Sequence, residues 1–277
     1  MQHFLLFQVG DNQQRIYQCQ YALLQYLAIY NLKPPADTGI LLYTAYPAEF
    51  DAYTSFFPSF TMSQAPIAPK AAILQQALQE HNGNILYCDT DVYPIKPLTP
   101  VFQTIEKGKA YLLLKQWQKE TTLVKTLLEE YEKKIRKRKS QAPKETALQP
   151  AVIGVNHIHI PQLQKATSLI HTPTTDVSFE QIESWALQEA FDTAKSNASW
   201  SSFATYQSSA AFKELLPVFF QRNAEESIPN LVKLVHHLNA QQIQQEEEQY
   251  QQQAFYKKWL DKFTGKGWST ERYKKKF

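Results

Sequence analysis

The chain has 277 residues, 43% of them hydrophobic and 13% aromatic, which is enough to bury a large core and too apolar for a disordered polymer. A formal net charge of +3 is too mild to imply a nucleic-acid partner, and two cysteines, Cys19 and Cys88, make neither a disulfide framework nor a zinc site. No apolar run approaches the roughly 18 residues of a spanning helix, and residues 4–9 are too short, with no basic flank, for a signal peptide, so the expected compartment is the cytoplasm.

Residues 4–9, Phe-Leu-Leu-Phe-Gln-Val, read as a first strand, and Gly10-Asp11-Asn12 as a loop with helix-start signals. Ile16, Cys19, Leu23, Leu24 and Leu27 recur at helical spacing, which predicts a helix over 14–30 that Pro34-Pro35 ends. Residues 39–43, Gly-Ile-Leu-Leu-Tyr, give a second strand; strand, helix, strand is the opening of a parallel sheet. Residues 47–57 suggest a short helix and turn, and 61–69 an irregular stretch with room for a short strand. A helix follows over 70–81, with Ile73, Leu74, Ala77 and Leu78 on one face and Asn82-Gly83 as its stop.

The stretch 84–98 carries the chemistry. Ile85, Leu86, Tyr87 and Cys88 form an apolar strand that ends abruptly in Asp89-Thr90-Asp91, and Pro94 and Pro97 then take the chain out of the sheet. Two carboxylates thus stand at the C-terminal end of a buried strand, where open α/β sheets bind ligands. Hard cations such as Mg²⁺ or Mn²⁺ take oxygen ligands, commonly one or two carboxylates plus substrate phosphates.

Further on, 101–106 reads as a helix, 110–114 as a strand, 123–138 as a charged amphipathic helix and 139–146 as a loop. Residues 151–155 return to the sheet; helices follow over 161–170, 179–194 and 212–221, with a polar turn at 196–202. From Ser227 the composition shifts. Leu231, Leu234, Val235 and Leu238 make a helix behind Pro229, 241–253 is nearly all Gln and Glu, and Tyr256, Trp259, Leu260 and Phe263 restore an apolar stripe. Two units are expected, 1–225 and an extension over 226–277. Docking on its own domain is the default for the extension, against pairing with a second copy in a homodimer or peripheral contact with the inner face of a membrane. The basic runs at 133–139 and 272–276 suit such an acidic surface, although solvated loop and tail is the simpler reading.

The run from Lys70 through Asn84-Ile-Leu-Tyr-Cys-Asp-Thr-Asp resembles the core of GT-A-fold glycosyltransferases, with the similarity extending over about 3–222. The resemblance implies an α/β fold, a mixed and mostly parallel sheet flanked by helices. It also implies a transferase that moves a sugar from a nucleotide-diphospho-sugar donor, UDP-linked by slight preference, to a hydroxyl of a glycan, lipid-linked or protein acceptor. Asp89 and Asp91 would hold Mn²⁺ or Mg²⁺, Thr90 would line the donor beside them, and Lys70 would face the diphosphate. Gln8, Val9, Tyr43 and Thr44 would lie under the base and ribose. Gln149 and Gly154 fall in the sugar-binding segment, and Glu183, in Glu-Ser-Trp-Ala, matches a carboxylate that faces the acceptor and is the candidate general base.

Three positions depart from the pattern. Ala45 follows Tyr43-Thr44 where an aspartate is usual, Gln149-Pro150-Ala151 replaces Asn-Ser-Gly, and Thr205-Tyr206 replaces a His-Tyr pair whose imidazole completes the metal shell. His157 is the only local substitute for that imidazole. These departures motivate a rival reading, a transferase fold that has lost catalysis and serves as a binding or scaffold protein. A nucleotidyltransferase would be expected to carry a Gly-rich loop after the first strand, where only Gly10 stands.

Overall fold

The structure, a computed structural model, describes residues 1–64, 68–116, 148–170, 179–191, 204–206, 209–253, 257 and 268–276. The expected helix over 123–138, the loop after it, the polar turn at 196–202 and the apolar stripe at 256–263 lie outside the described residues.

Strands β1 (Gln2–Val9), β2 (Thr38–Thr44), β3 (Ser59–Ser63), β4 (Gly83–Cys88), β6 (Tyr111–Gln116) and β7 (Leu148–Val155) form one sheet in the order β3-β2-β1-β4-β7-β6. β1 pairs in parallel with β2 and β4, and β2 with β3, whereas β7 runs antiparallel to both β4 and β6. One strand is therefore reversed in an otherwise parallel sheet. A short ribbon stands apart from it, β5 (Val92–Pro94) against β8 (Ala204–Tyr206).

Alternate residues of a strand face opposite sides, and β1 divides the core accordingly. Leu5, Phe7 and Val9 join one apolar cluster, and Phe4 and Leu6 the other. The first cluster is covered by α1 (Gln13–Ile29), by α3 (Thr99–Glu106) and by α6 (Ala210–Arg222). The second is covered by α2 (Lys70–Glu80), α4 (Ile160–Leu169) and α5 (Phe179–Phe191). Asn12 starts α1 by accepting the Gln14 N–H at 2.8 Å on its side-chain oxygen. Cys19 and Cys88 are free thiols buried in the first cluster, where they act as small apolar side chains.

Beyond Arg222 the chain packs back on this core. In α7 (Ile228–Leu234) and α8 (Ala240–Gln252), Ile228, Leu231, Val232 and Ile243 join the cluster on the α1 face, as do Val235 and Leu238 from the turn between those helices and Tyr273 of α9 (Glu271–Lys274). α8 has the solvated face its Gln/Glu composition implies, with Ile243 as its buried anchor. No helix among the described residues is long and apolar enough to cross a membrane.

Candidate active site

The sheet delivers three strand ends to one place. The last β1–β4 pair is Phe7 with Cys88, so the next residues along, Gln8 and Asp89, stand side by side. Gln8 itself pairs with Tyr43 of β2, and Val9 with Thr44. Asp89 leaves the sheet in a tight turn. Its N–H donates to Ala151 O of β7 at 2.9 Å, and its own carbonyl accepts the Val92 N–H at 3.0 Å. Asp89, Thr90 and Asp91 therefore form the turn that links β4 to the β5–β8 ribbon; Thr90 is buried and the two aspartates are half-buried.

Lys70 opens α2 and is buried beneath this turn. Its Nζ donates to Asp89 Oδ1 at 2.6 Å and to Pro150 O at 2.8 Å, and it lies 5.2 Å from the centroid of the Tyr87 ring. The two side chains of the ion pair are 10% and 14% exposed. Tyr87 OH also donates to Asp89 Oδ1, at 3.3 Å, and burial first, then the charges of Asp89 and Glu183, drive its phenol well above its ordinary range. Tyr87 and the Pro150 carbonyl were not anticipated as site groups. The strand period held the signal for the first, since Tyr87 and Asp89 are two apart and share a face.

Glu183 reaches the same helix end from α5. Its Oε1 accepts the Lys70 backbone N–H, a donor that Pro69, at the preceding position, cannot satisfy with a side-chain cap. Burial pushes its carboxyl up to about 7; the Lys70 charge and N–H pull it down, and Asp89 and Glu180 add to the rise. Glu183 is 6% exposed, with one oxygen engaged at the start of α2.

The other expected residues are placed as follows. Val9, Tyr43 and Thr44 are buried, and Thr44 Oγ1 accepts the Tyr46 N–H at 3.0 Å. Burial raises the Tyr43 phenol to about 12. Gln8 Nε2 is buried with no hydrogen-bond partner among the described residues. Gln149 pairs with Lys115 across β6 and β7. Gly154 is not brought to the turn. It pairs with Leu86, and a Cβ on it would come 2.6 Å from Ile105 Cδ1 and 2.9 Å from Tyr111 Cβ, so it serves close packing. Thr205 stands opposite Tyr93, two residues past Asp91. His157 lies toward the opposite end of the strands from Asp89. Because β7 is reversed, it follows Val155, the partner of Ile85, four residues or about 13 Å before Asp89.

Among the described residues no group of three His, Cys, Asp or Glu side chains could hold a metal ion. The donor set that is present, two carboxylates in one turn, suits a hard cation that fills its remaining positions with water and phosphate oxygens.

No family model matches the chain, and no curated protein matches it. Solved structures similar to it include the bifunctional glycosyltransferase WbbM, 9% identical, over 69% of this chain and 37% of that one at a TM-score of 0.42. This chain thus spans little more than a third of that protein. The galactosyltransferase LgtC with donor and acceptor sugar analogs is 15% identical over 68% of this chain and 70% of its own, at 0.42. Mouse xyloside xylosyltransferase 1 is 11% identical over 70% and 83%, at 0.40. The sheet, parallel but for β7 and covered by helices on both faces, is the one the Asp-X-Asp stretch led us to expect.

Proposed function

We propose that the chain is a glycosyltransferase that moves a sugar from a nucleotide-diphosphate donor to a hydroxyl acceptor. The observation that carries the reading is the Asp89-Thr90-Asp91 turn at the C-terminal end of a central strand, with the Lys70 ammonium buried against it. Asp89 and Asp91 would hold Mn²⁺ or Mg²⁺ together with the donor, and that ion, when bound, would neutralise charge on the departing diphosphate. Lys70 supplies a second positive charge in a largely dry site, where it counts for more than in water. Gln8 and the ends of β1 and β2, with Val9, Tyr43 and Thr44, form the floor for the base and ribose, and the buried amide of Gln8 is a donor in want of an acceptor. With Ala45 in place of a carboxylate, recognition of the base falls to that amide, so UDP is the first nucleotide to try and GDP the control. Glu183 positions α2 and hence Lys70.

Calorimetric titration of the purified chain with UDP and with GDP, each with and without Mn²⁺, tests this. The expected result is metal-dependent binding of one nucleotide, abolished by Asp89→Asn combined with Asp91→Asn. Absence of binding under every condition would leave the scaffold reading, which Ala45, Pro150 and Thr205 favour.

A further inference from the structure

We infer that Lys70 is a resident counter-ion that closes Asp89 to a lone divalent cation, so that metal and nucleotide diphosphate enter the site together. The inference rests on the proposed function and concerns the order in which that site fills.

One oxygen of Asp89 is taken, and the charge of the carboxylate is matched. Oδ1 accepts both the Lys70 ammonium at 2.6 Å and the Tyr87 hydroxyl at 3.3 Å. The ion pair is shielded, with side chains 10% and 14% exposed, so bulk salt screens it little. Nor is the ammonium a wandering surface charge. A second N–H goes to Pro150 O, the Tyr87 ring stands 5.2 Å away, and the backbone N–H of the same residue is held by Glu183. A cation arriving alone thus meets two carboxylates of which one is already neutralised, and its approach to that one is opposed by the ammonium beside it. Displacing the ammonium would be a poor exchange, because it would give up a close buried ion pair and keep only the Pro150 carbonyl and the Tyr87 ring as near partners.

A diphosphate changes the exchange. It brings oxygens that complete the shell of a hard cation, and negative charge that can accept the Lys70 ammonium. The four-carbon stem of lysine permits the move while α2 stays fixed. Lys70 would then pass from Asp89 to the phosphate as Asp89 passes to the metal. Coupling of this kind is reciprocal: whatever the nucleotide adds to metal affinity, the metal adds to nucleotide affinity.

The test is titration of the full chain with Mn²⁺ alone, and with Mn²⁺ in the presence of saturating UDP or GDP, whichever binds. Wild type, Lys70→Gln and Asp89→Asn are compared, with circular dichroism to check the fold. Lys70→Gln is expected to bind Mn²⁺ alone about tenfold more tightly than wild type and to gain correspondingly less from nucleotide, within the usual range of coupling between sites. Asp89→Asn is expected to leave the weak binding of Mn²⁺ alone unchanged, yet to weaken it about tenfold or more when nucleotide is present. The second variant keeps a polar partner for Lys70 and decides the matter if the first does not fold. A loss of lone-metal binding in Asp89→Asn, or no gain in a folded Lys70→Gln, would overturn the inference while metal-dependent nucleotide binding by wild type left the proposed function standing. Failure of wild type to bind either nucleotide with metal would remove the proposed function and the inference with it.

Discussion

A carboxyl group buried away from water holds its proton more tightly than it does in water, and Glu183 shows how that bears on a sequence-based assignment. Its position in a Glu-Ser-Trp-Ala run suggested a base for the acceptor. Its surroundings give it a bond to the Lys70 N–H and a carboxyl raised by burial to about 7. Because the folded value lies above the ordinary 4.5, folding favours the protonated form. The contribution to stability is complete below about pH 4.5 and is lost as the pH rises through 7, with an upper bound of about 3 kcal/mol from the size of the shift. Glu183→Gln has no proton to lose and keeps an oxygen for the Lys70 N–H. Denaturant melts from pH 4.5 to 8 should therefore show wild type losing stability relative to this variant, with the gap opening between pH 4.5 and about 7 and level above that. The same variant separates holding from proton transfer. A positioning residue replaced by its amide should leave turnover within about tenfold, whereas a true general base would cost 10²-fold or more.

The parts of the chain that were legible are those in which one face is buried. The period of α1 from Ile16 to Leu27 and the apolar run of β4 both predict their elements, because a sheet packed on two sides leaves such patterns little alternative. β3 was harder to read. It is an edge strand of half-exposed residues, Ser59–Ser63, whose identity is settled by pairing with β2. The direction of β7 could not be read at all, since an apolar strand has the same composition whichever way it runs. That reversal carries His157 away from Asp89 and places Gly154 level with Leu86. The Lys70–Glu183 contact spans 113 residues of sequence, and nothing local announces it. Gly154 offers a direct check of its packing duty. In Gly154→Ala the new Cβ would press on Ile105 Cδ1 at 2.6 Å and Tyr111 Cβ at 2.9 Å, so β7 or α3 must shift. A loss of about 1–3 kcal/mol in denaturant melts is expected. Nucleotide binding by the folded fraction should be unchanged; a stable variant with impaired binding would instead place Gly154 at the donor.

The extension past Arg222 is joined to the sheet and its helices by apolar burial and by a buried hydrogen bond, and its basic end is already engaged. Arg272 pairs with Glu246, and Lys274 with Glu214 at 2.9 Å, so these cations are used within the molecule. The polar contact is Tyr21 OH of α1, which donates to Leu238 O at 2.8 Å across 217 residues of sequence and accepts from Gln25 Nε2 at 2.7 Å. Tyr21 also meets Tyr93 edge-on at 5.0 Å and Phe212 at 4.9 Å, so one ring touches the strand that follows the Asp-X-Asp turn and the helix that leads into the extension. Tyr21→Phe keeps these ring contacts and removes only the hydroxyl. It leaves a buried carbonyl without its donor and a glutamine amide without its acceptor, at a cost of about 1–3 kcal/mol. If sheet and extension share one core, as the mixed apolar cluster implies, that cost must appear as a lower melting temperature of a single transition, by several degrees for a chain of this size. Near-ultraviolet circular dichroism and protease cleavage within 223–253 should then report the same midpoint. A main transition at the wild-type temperature, with early cleavage confined to the extension, would mean that the extension opens by itself and that Tyr21 ties down only its edge.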